Sequence, residues 1–155
     1  MGTKRLVGLI SDTHGLLRPE AIHVLRVAEL IIHAGDLDTP AVLQRLQTLA
    51  PVMAVRGNAD QGEWAKGLPK TAALAIDQVR VYVVHDLKDL DIVPEVAGFQ
   101  VVVCGHSHRP SIQERNGILY VNPGSAGPRR FRSPVSFALM EVQDHTAEAK
   151  LVPLE

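Results

Sequence analysis

The sequence predicts an α/β fold in which two β-sheets of mixed strand direction pack face to face, with helices on the outside. Three observations carry that expectation. Across residues 6–56, short apolar runs alternate with amphipathic stretches, in the order strand, helix, strand, helix, strand. Beyond residue 70 the pattern changes to paired strand-like runs around short turns. Between these pairs, Val101-Val102-Val103-Cys104 is an unbroken apolar run, as expected of a strand covered on both faces.

Taken in order, Leu6 to Ile10 (L-V-G-L-I) reads as a buried strand and Ser11 to Leu17 as a loop. Pro19 suits the first turn of a helix running to about Ala28. Ile22, Leu25 and Ala28 share one face of that helix, while Glu20, His23 and Arg26 fall on another. Leu30 to Ala34 is a second buried strand. Thr39-Pro40 then opens a helix whose apolar stripe is Val42, Leu43, Leu46, Leu49 and Ala50. Val52 to Arg56 is the third strand, and right-handed crossovers would make the three parallel neighbours. Thr71–Ile76 and Val79–Val84 form a hairpin through Asp77-Gln78, and Asp89 to Ala97 holds a short helix. Gln100 to Cys104 is a strand, and Ile112–Arg115 pairs with Ile118–Val121 through Asn116-Gly117. Pro134–Val142 and Ala147–Val152 are the last antiparallel pair.

The chain has 155 residues, enough for one domain over 1–155 with a substantial core. A formal charge of −1 with scattered Lys and Arg gives no reason to expect a nucleic-acid or anionic-membrane partner. Aromatic residues at 4% also argue against a base-stacking surface. Cys104 is the single cysteine, so no internal disulfide forms and a reducing compartment fits. With no apolar run long enough for a signal or a membrane span, the expected location is the cytoplasm. A homo-oligomer remains open.

What ends each strand points to chemistry. After the first come Asp12 and His14, after the second Gly35 and Asp36, and after the third Gly57, Asn58 and Asp60. Val79–Val84 delivers His85, and the valine run delivers Gly105, His106 and His108. Ligands of open α/β sheets collect beyond the carboxyl ends of the strands. Each short motif alone is ordinary loop chemistry. Several carboxylates and imidazoles crowded into one crevice, however, would be costly without compensating cations.

This ordered set, Asp12-x-His14, Gly35-Asp36, Gly57-Asn58-x-Asp60, His85 and Gly105-His106-x-His108, resembles the calcineurin-like metallophosphoesterases. The short length and Asn122-Pro123-Gly124-Ser125 resemble its compact phosphodiesterase-like branch. The resemblance implies a four-layer α/β/β/α sandwich with its metal site at the C-terminal ends of the strands. It implies a binuclear centre: one metal on Asp12, His14, Asp36 and His108, the other on Asp36, Asn58, His85 and His106. Asp36, Asn58 and His85 would carry the catalytic roles, with Asp36 bridging. The mixed donor set favours divalent transition metals, Mn²⁺ first and Fe, Co, Ni or Zn as alternatives. The implied reaction is hydrolysis of small phosphodiesters by a hydroxide bridging two metal ions. The alternatives are a phosphomonoesterase, or a phosphoesterase-fold scaffold with little activity, like the retromer subunit of this family.

Two positions depart from the protein-phosphatase pattern. Ala59 stands where those enzymes have a proton-donating His, and Asp38-Thr39-Pro40 where an Arg clamp often follows. Protein phosphatase activity is therefore not expected. Asp86 reads as a turn residue in preference to a partner for an imidazole, and His33 divides evenly between orienting a ligand and plain core packing. His23 and His145 read as solvated. Arg56, Arg109, Arg129 and Arg130 are candidates for phosphate contact, and Asn122–Ser125 reads as a turn bordering the site.

Overall fold

A computed structural model of the chain describes residues 2–130 and 132–154. Strands β1 (Arg5–Ile10), β2 (Leu30–His33) and β3 (Val52–Ala54) are parallel neighbours. They are linked by α1 (Pro19–Leu25) and α2 (Pro40–Gln47), each opened by its proline. β9 (Ser136–Gln143) runs antiparallel against β1, and β10 (Thr146–Pro153) completes a sheet of order β10-β9-β1-β2-β3. The second sheet, of order β4-β5-β6-β8-β7, holds β4 (Thr71–Ile76), β5 (Val79–Val84), β6 (Val101–Val103), β7 (Ser111–Arg115) and β8 (Ile118–Asn122). In it β5, β6 and β8 are parallel, whereas β4 and β7 are antiparallel edges.

The pleat sorts neighbouring side chains into different layers. Leu9, Ile32 and Met140 face the second sheet, where they meet Val81 and Val103, all fully buried. Ile10 and Ile31 turn the other way and pack with Phe137 against Leu25 of α1 and Leu46 of α2. On the far side of the second sheet, Tyr82, Val102 and Phe99 are covered by Leu87, Leu90 and Ile92.

The short helix expected within Asp89–Ala97 is the one-turn α3 (Pro94–Ala97), preceded by a 3₁₀ turn at Leu87–Asp89. Pro94 can only begin a helix, and Gly98 ends it in the left-handed region at φ 83°. α1 stops at Leu25 because Val27 and Ala28 bond back three residues, to Val24 and Leu25, and Glu29 N–H is taken by Leu6 O. The third strand ends at Ala54; Arg56 N–H donates to Pro69 O, leading the chain off the sheet. The three hairpin turns place Asp77, Asn116 and Asp144 at positive φ, as two-residue turns require. Among the described residues, no helix is long and apolar enough to cross a membrane.

Burial separates two positions of similar chemistry. Leu46 has no exposure, whereas Val96 of α3 is 82% exposed. Leu46→Ala should cost about 2–5 kcal/mol in urea denaturation, and Val96→Ala less than about 0.5 kcal/mol.

Candidate metal centre

The parallel strands of both sheets end at one edge of the sandwich, and there the chain turns sharply. Asp12, His14, Asp36, Asp38, His106 and His108 all have φ between 46° and 71°. Apart from the three hairpin residues, they are the only non-glycine positions at positive φ among the described residues. Left-handed backbone costs an L-residue on the order of 1 kcal/mol, so such clustering marks a site that the surrounding fold must enforce. Beyond the strands the first two loops stay zipped together: Asp12 N–H donates to Gly35 O, His14 N–H to Asp36 O and Gly15 N–H to Leu37 O.

The turns aim side chains inward in two groups. Asp12, His14 and His108 form one, and Asp36, His85 and His106 the other, each with its donor atoms within 4.8 Å of one another. Asp36 Oδ2 lies between them, 3.1 Å from His85 Nε2 and 3.6 Å from His14 Nε2. Asn58 Oδ1 joins the second group, 3.0 Å from His85 Nε2 and 3.1 Å from His106 Nδ1. In the first group His14 Nε2 faces His108 Nε2 at 3.3 Å. Asp12 Oδ1 is buried without a hydrogen-bond partner, 3.5 Å from His108 Nε2. An orphaned carboxylate oxygen among converging ring nitrogens is an arrangement a cation satisfies.

Neighbouring groups fix which ring nitrogen faces inward. His85 Nδ1 donates to Ala34 O at 2.7 Å, leaving the Nε2 lone pair directed at Asp36 and Asn58. His14 Nδ1 meets both carboxylate oxygens of Asp38 at 3.2 Å, freeing its Nε2 in the same way. Asp38 thus orients an imidazole, a role its motif position did not signal. Asp60 was also visible only as a motif letter. It is buried and accepts from Asp36 N–H and Gly57 N–H through Oδ2 and from Asp38 N–H through Oδ1, each at 2.9 Å, tying two site loops together. Ala59 contributes through its backbone, N–H to Asp36 Oδ1 at 2.8 Å.

His33 is fully buried under these loops. Its Nδ1 accepts from Gly35 N–H and its Nε2 pairs with Thr13 Oγ1, both at 3.0 Å, so it braces the loops carrying Asp36, Asp12 and His14. Asp86 accepts from Lys88 N–H as a turn residue and also stands 3.5 Å from His106 Nε2. Asn122 Nδ2 donates to Gly105 O and Ser107 Oγ, and Ser125 Oγ to Asp12 O, so this turn supports the histidine loop from below. Glycine is required where backbones touch: a Cβ on Gly57 would strike Asp36, and one on Gly105 would strike Ser11 and Asp12. His23 and His145 are exposed on the surface.

The electrostatics divide the carboxylates. Burial pushes Asp12 up to about 6, against the pull of His85 and Ser11. Asp36 is also penalised by burial, but His85, the Ala59 N–H and His14 outweigh that and hold it at about 2. Burial opposes a proton on His85 too, yet Asp36 and Asp12 raise its pKa overall. His108 is lowered to about 4 by burial and by Arg130 and His14, and His33 to about 3 by burial and His85.

With fold and geometry in place, the relatives are informative. Residues 6–145 match the family model of the calcineurin-like phosphoesterase superfamily domain. A protein of Methanothermobacter thermautotrophicus named a probable metallophosphoesterase is 35% identical over 95% of this chain and 91% of its own. The phosphodiesterase YfcE of Escherichia coli is 30% identical, covering 84% of each chain. The crystal structure of Chaetomium thermophilum Vps29 superposes with TM-score 0.79 over 97% of each chain at 20% identity, a likeness of fold alone. The chain belongs to the calcineurin-like phosphoesterase superfamily.

His33 should shape the acid limb of stability. Its folded pKa of about 3 lies below the ordinary 6.5, so protons favour the unfolded chain and stability falls as pH drops from 6.5 toward 3. Asp12 acts oppositely, its raised pKa costing stability as pH rises from 3.8 toward about 6. His33→Gln removes only the first contribution. In urea titrations with chelator, the variant's curve should be shallower, by at most about 1.4 kcal/mol per pH unit; parallel curves would show that His33 is not held neutral.

Proposed function

We propose that the chain is a metal-dependent phosphodiesterase with a binuclear centre. Asp12, His14, Asp36 and His108 would hold one cation, and Asp36, Asn58, His85 and His106 the other. The observation that carries this reading is the place of Asp36. Its Oδ2 faces both groups, and its carboxyl stays ionised under the imidazoles around it. Mn²⁺ is the first choice of metal, since oxygen and imidazole donors are mixed and no thiol takes part.

Two such cations, when bound, supply an activated water near neutral pH and offset charge on the phosphate oxygens. The chain's own groups set the geometry. Ala34 and Asp38 hold His85 and His14 in the tautomer that offers Nε2. Asn58 turns its Oδ1 toward His85 and His106, which leaves its NH₂ to donate to a phosphoryl oxygen. Nothing at position 59 can protonate the leaving oxygen, so diesters of acidic alcohols are the favoured substrates. A phosphomonoesterase is the nearer alternative.

The Vps29-like fold favours a second reading, a scaffold with little chemistry. All seven expected ligand positions carry coordinating side chains, and six of them fall into the two donor groups. That retention supports the enzyme.

Metal analysis after Mn²⁺ reconstitution should find two ions per chain, and chelation should lower Tm by mass action. Asp36→Asn should abolish turnover and weaken both sites, while His23→Ala should leave turnover unchanged. One ion or none per chain would rule out the shared centre.

The missing donor at Ala59 makes a separate kinetic prediction. The logarithm of the rate should fall steeply with leaving-group pKa, so that bis-aryl phosphates greatly outpace dialkyl ones and monoesters are slower than activated diesters. Ala59→His should flatten that slope by helping poor leaving groups, an effect of up to about 10²–10⁴-fold. A flat line for the natural sequence would mean that another group already donates the proton.

A further inference from the structure

Two clefts of opposite character open from the candidate centre, and His106 lines both. The first, of about 730 Å³, runs past Asn58 and His85 and carries Asp86, Asp89 and Asp91 against Arg56 and Lys70. The second, of about 990 Å³, runs past His108 and carries Arg109, Arg130 and Arg132 with no carboxylate at all. Both are of a size that holds small molecules. None of these three arginines lies within ion-pair distance of a carboxylate among the described residues. Three like charges lining one cleft repel one another unless an anion joins them.

The arginine loop is built onto the centre. Gly127 packs against the backbone of Thr13, between Asp12 and His14, so closely that a Cβ there would clash. Arg18 Nε donates to Gly127 O at 3.1 Å, and Ser125 Oγ shares its one O–H between Asp12 O at 3.1 Å and Pro128 O at 2.9 Å. Ser133 N–H closes the loop onto Arg130 O. Arg130 is near enough to His108 to help lower the imidazole pKa.

A phosphodiester at the centre has two arms, and the clefts lead away from it in two directions. We propose that the substrate is a small phosphodiester whose one arm bears a second anionic group, a phosphate or carboxylate, seated among Arg109, Arg130 and Arg132. The other arm, over Asp86, Asp89 and Asp91, is neutral or cationic. This rests on the phosphodiesterase reading above and narrows it to a substrate class. It disfavours internal linkages of a polynucleotide, since a phosphate on each side would put one anion in a cleft where Asp60, Asp86, Asp89 and Asp91 outnumber Arg56 and Lys70.

The test holds the leaving group constant. Thymidine 5′-(4-nitrophenyl phosphate) and its 3′-phosphorylated counterpart both release nitrophenolate, and differ only in a second anion on the retained arm. With the Mn²⁺-reconstituted protein, the 3′-phosphate should raise kcat/KM by about tenfold or more, chiefly through KM, as expected for added charge-assisted binding. The double variant Arg130→Ala/Arg132→Ala should lose that ratio, and Arg109→Ala serves the same test if the double variant does not fold. Equal kcat/KM for the two substrates, or an advantage that survives the substitutions, overturns the proposal and leaves the phosphodiesterase reading intact.

If neither diester is hydrolysed, the phosphodiesterase reading fails, and binding decides the cleft by itself. Calorimetry of thymidine 3′,5′-bisphosphate on the metal-free protein should then show at least about tenfold weaker affinity in the variant. Equal affinities, or no binding to either protein, would overturn the arginine site.

Discussion

Burial of two carboxylates at the meeting edge of two sheets is the constraint on which this structure depends. Asp12 and Asp36 are almost wholly withdrawn from water, among converging imidazole rings. Such a cluster is stable only if its charges are held by donors, by protons or by cations. Asp36 has a donor in the Ala59 N–H on Oδ1, while its Oδ2 faces His85 Nε2 at 3.1 Å. Asp12 is supported on one oxygen by Ser11 Oγ and His106 N–H, while the other has no partner.

Much of the surrounding architecture serves that edge. Asp60 spends a buried carboxylate on three backbone N–H groups, and His33 spends an imidazole on the Gly35 N–H and the Thr13 hydroxyl. These bonds offset the cost of left-handed backbone at the turning residues, and the glycines at 57 and 105 let one loop lie against the next. The result is a hydrogen-bonded floor beneath the site.

A fold of this kind does not by itself decide between enzyme and scaffold. What differs along the edge is its surface. Asn58 and His106 are exposed, whereas the aspartates beneath them are buried, so the outer face meets solvent through an amide and an imidazole. Clefts of unlike charge flank that face on its two sides.

Much of this was legible in one dimension. Short valine and isoleucine runs, prolines opening helices and Asn116-Gly117 between strand-like runs are local signals, and they placed the strands, hairpins and two main helices. The residues of the site were visible because each lies within a few residues of a strand's end, where the chain has to turn. Local rules overreached where tertiary hydrogen bonds took over, as when Leu6 O captures Glu29 N–H just after α1. The braces were legible only in part, His33 as an even choice between orienting a ligand and core packing. Asp38, Asp60 and His33 act on residues 20 to 24 positions away, or on backbone N–H groups that carry no side-chain signature. The sequence determined which chemical groups stand at the strand ends, because pattern and turn chemistry are local. Only the tertiary structure decided which of them meet, which nitrogen each imidazole presents and which carboxylate has its pKa raised and which lowered, because those depend on distance and burial in the folded chain.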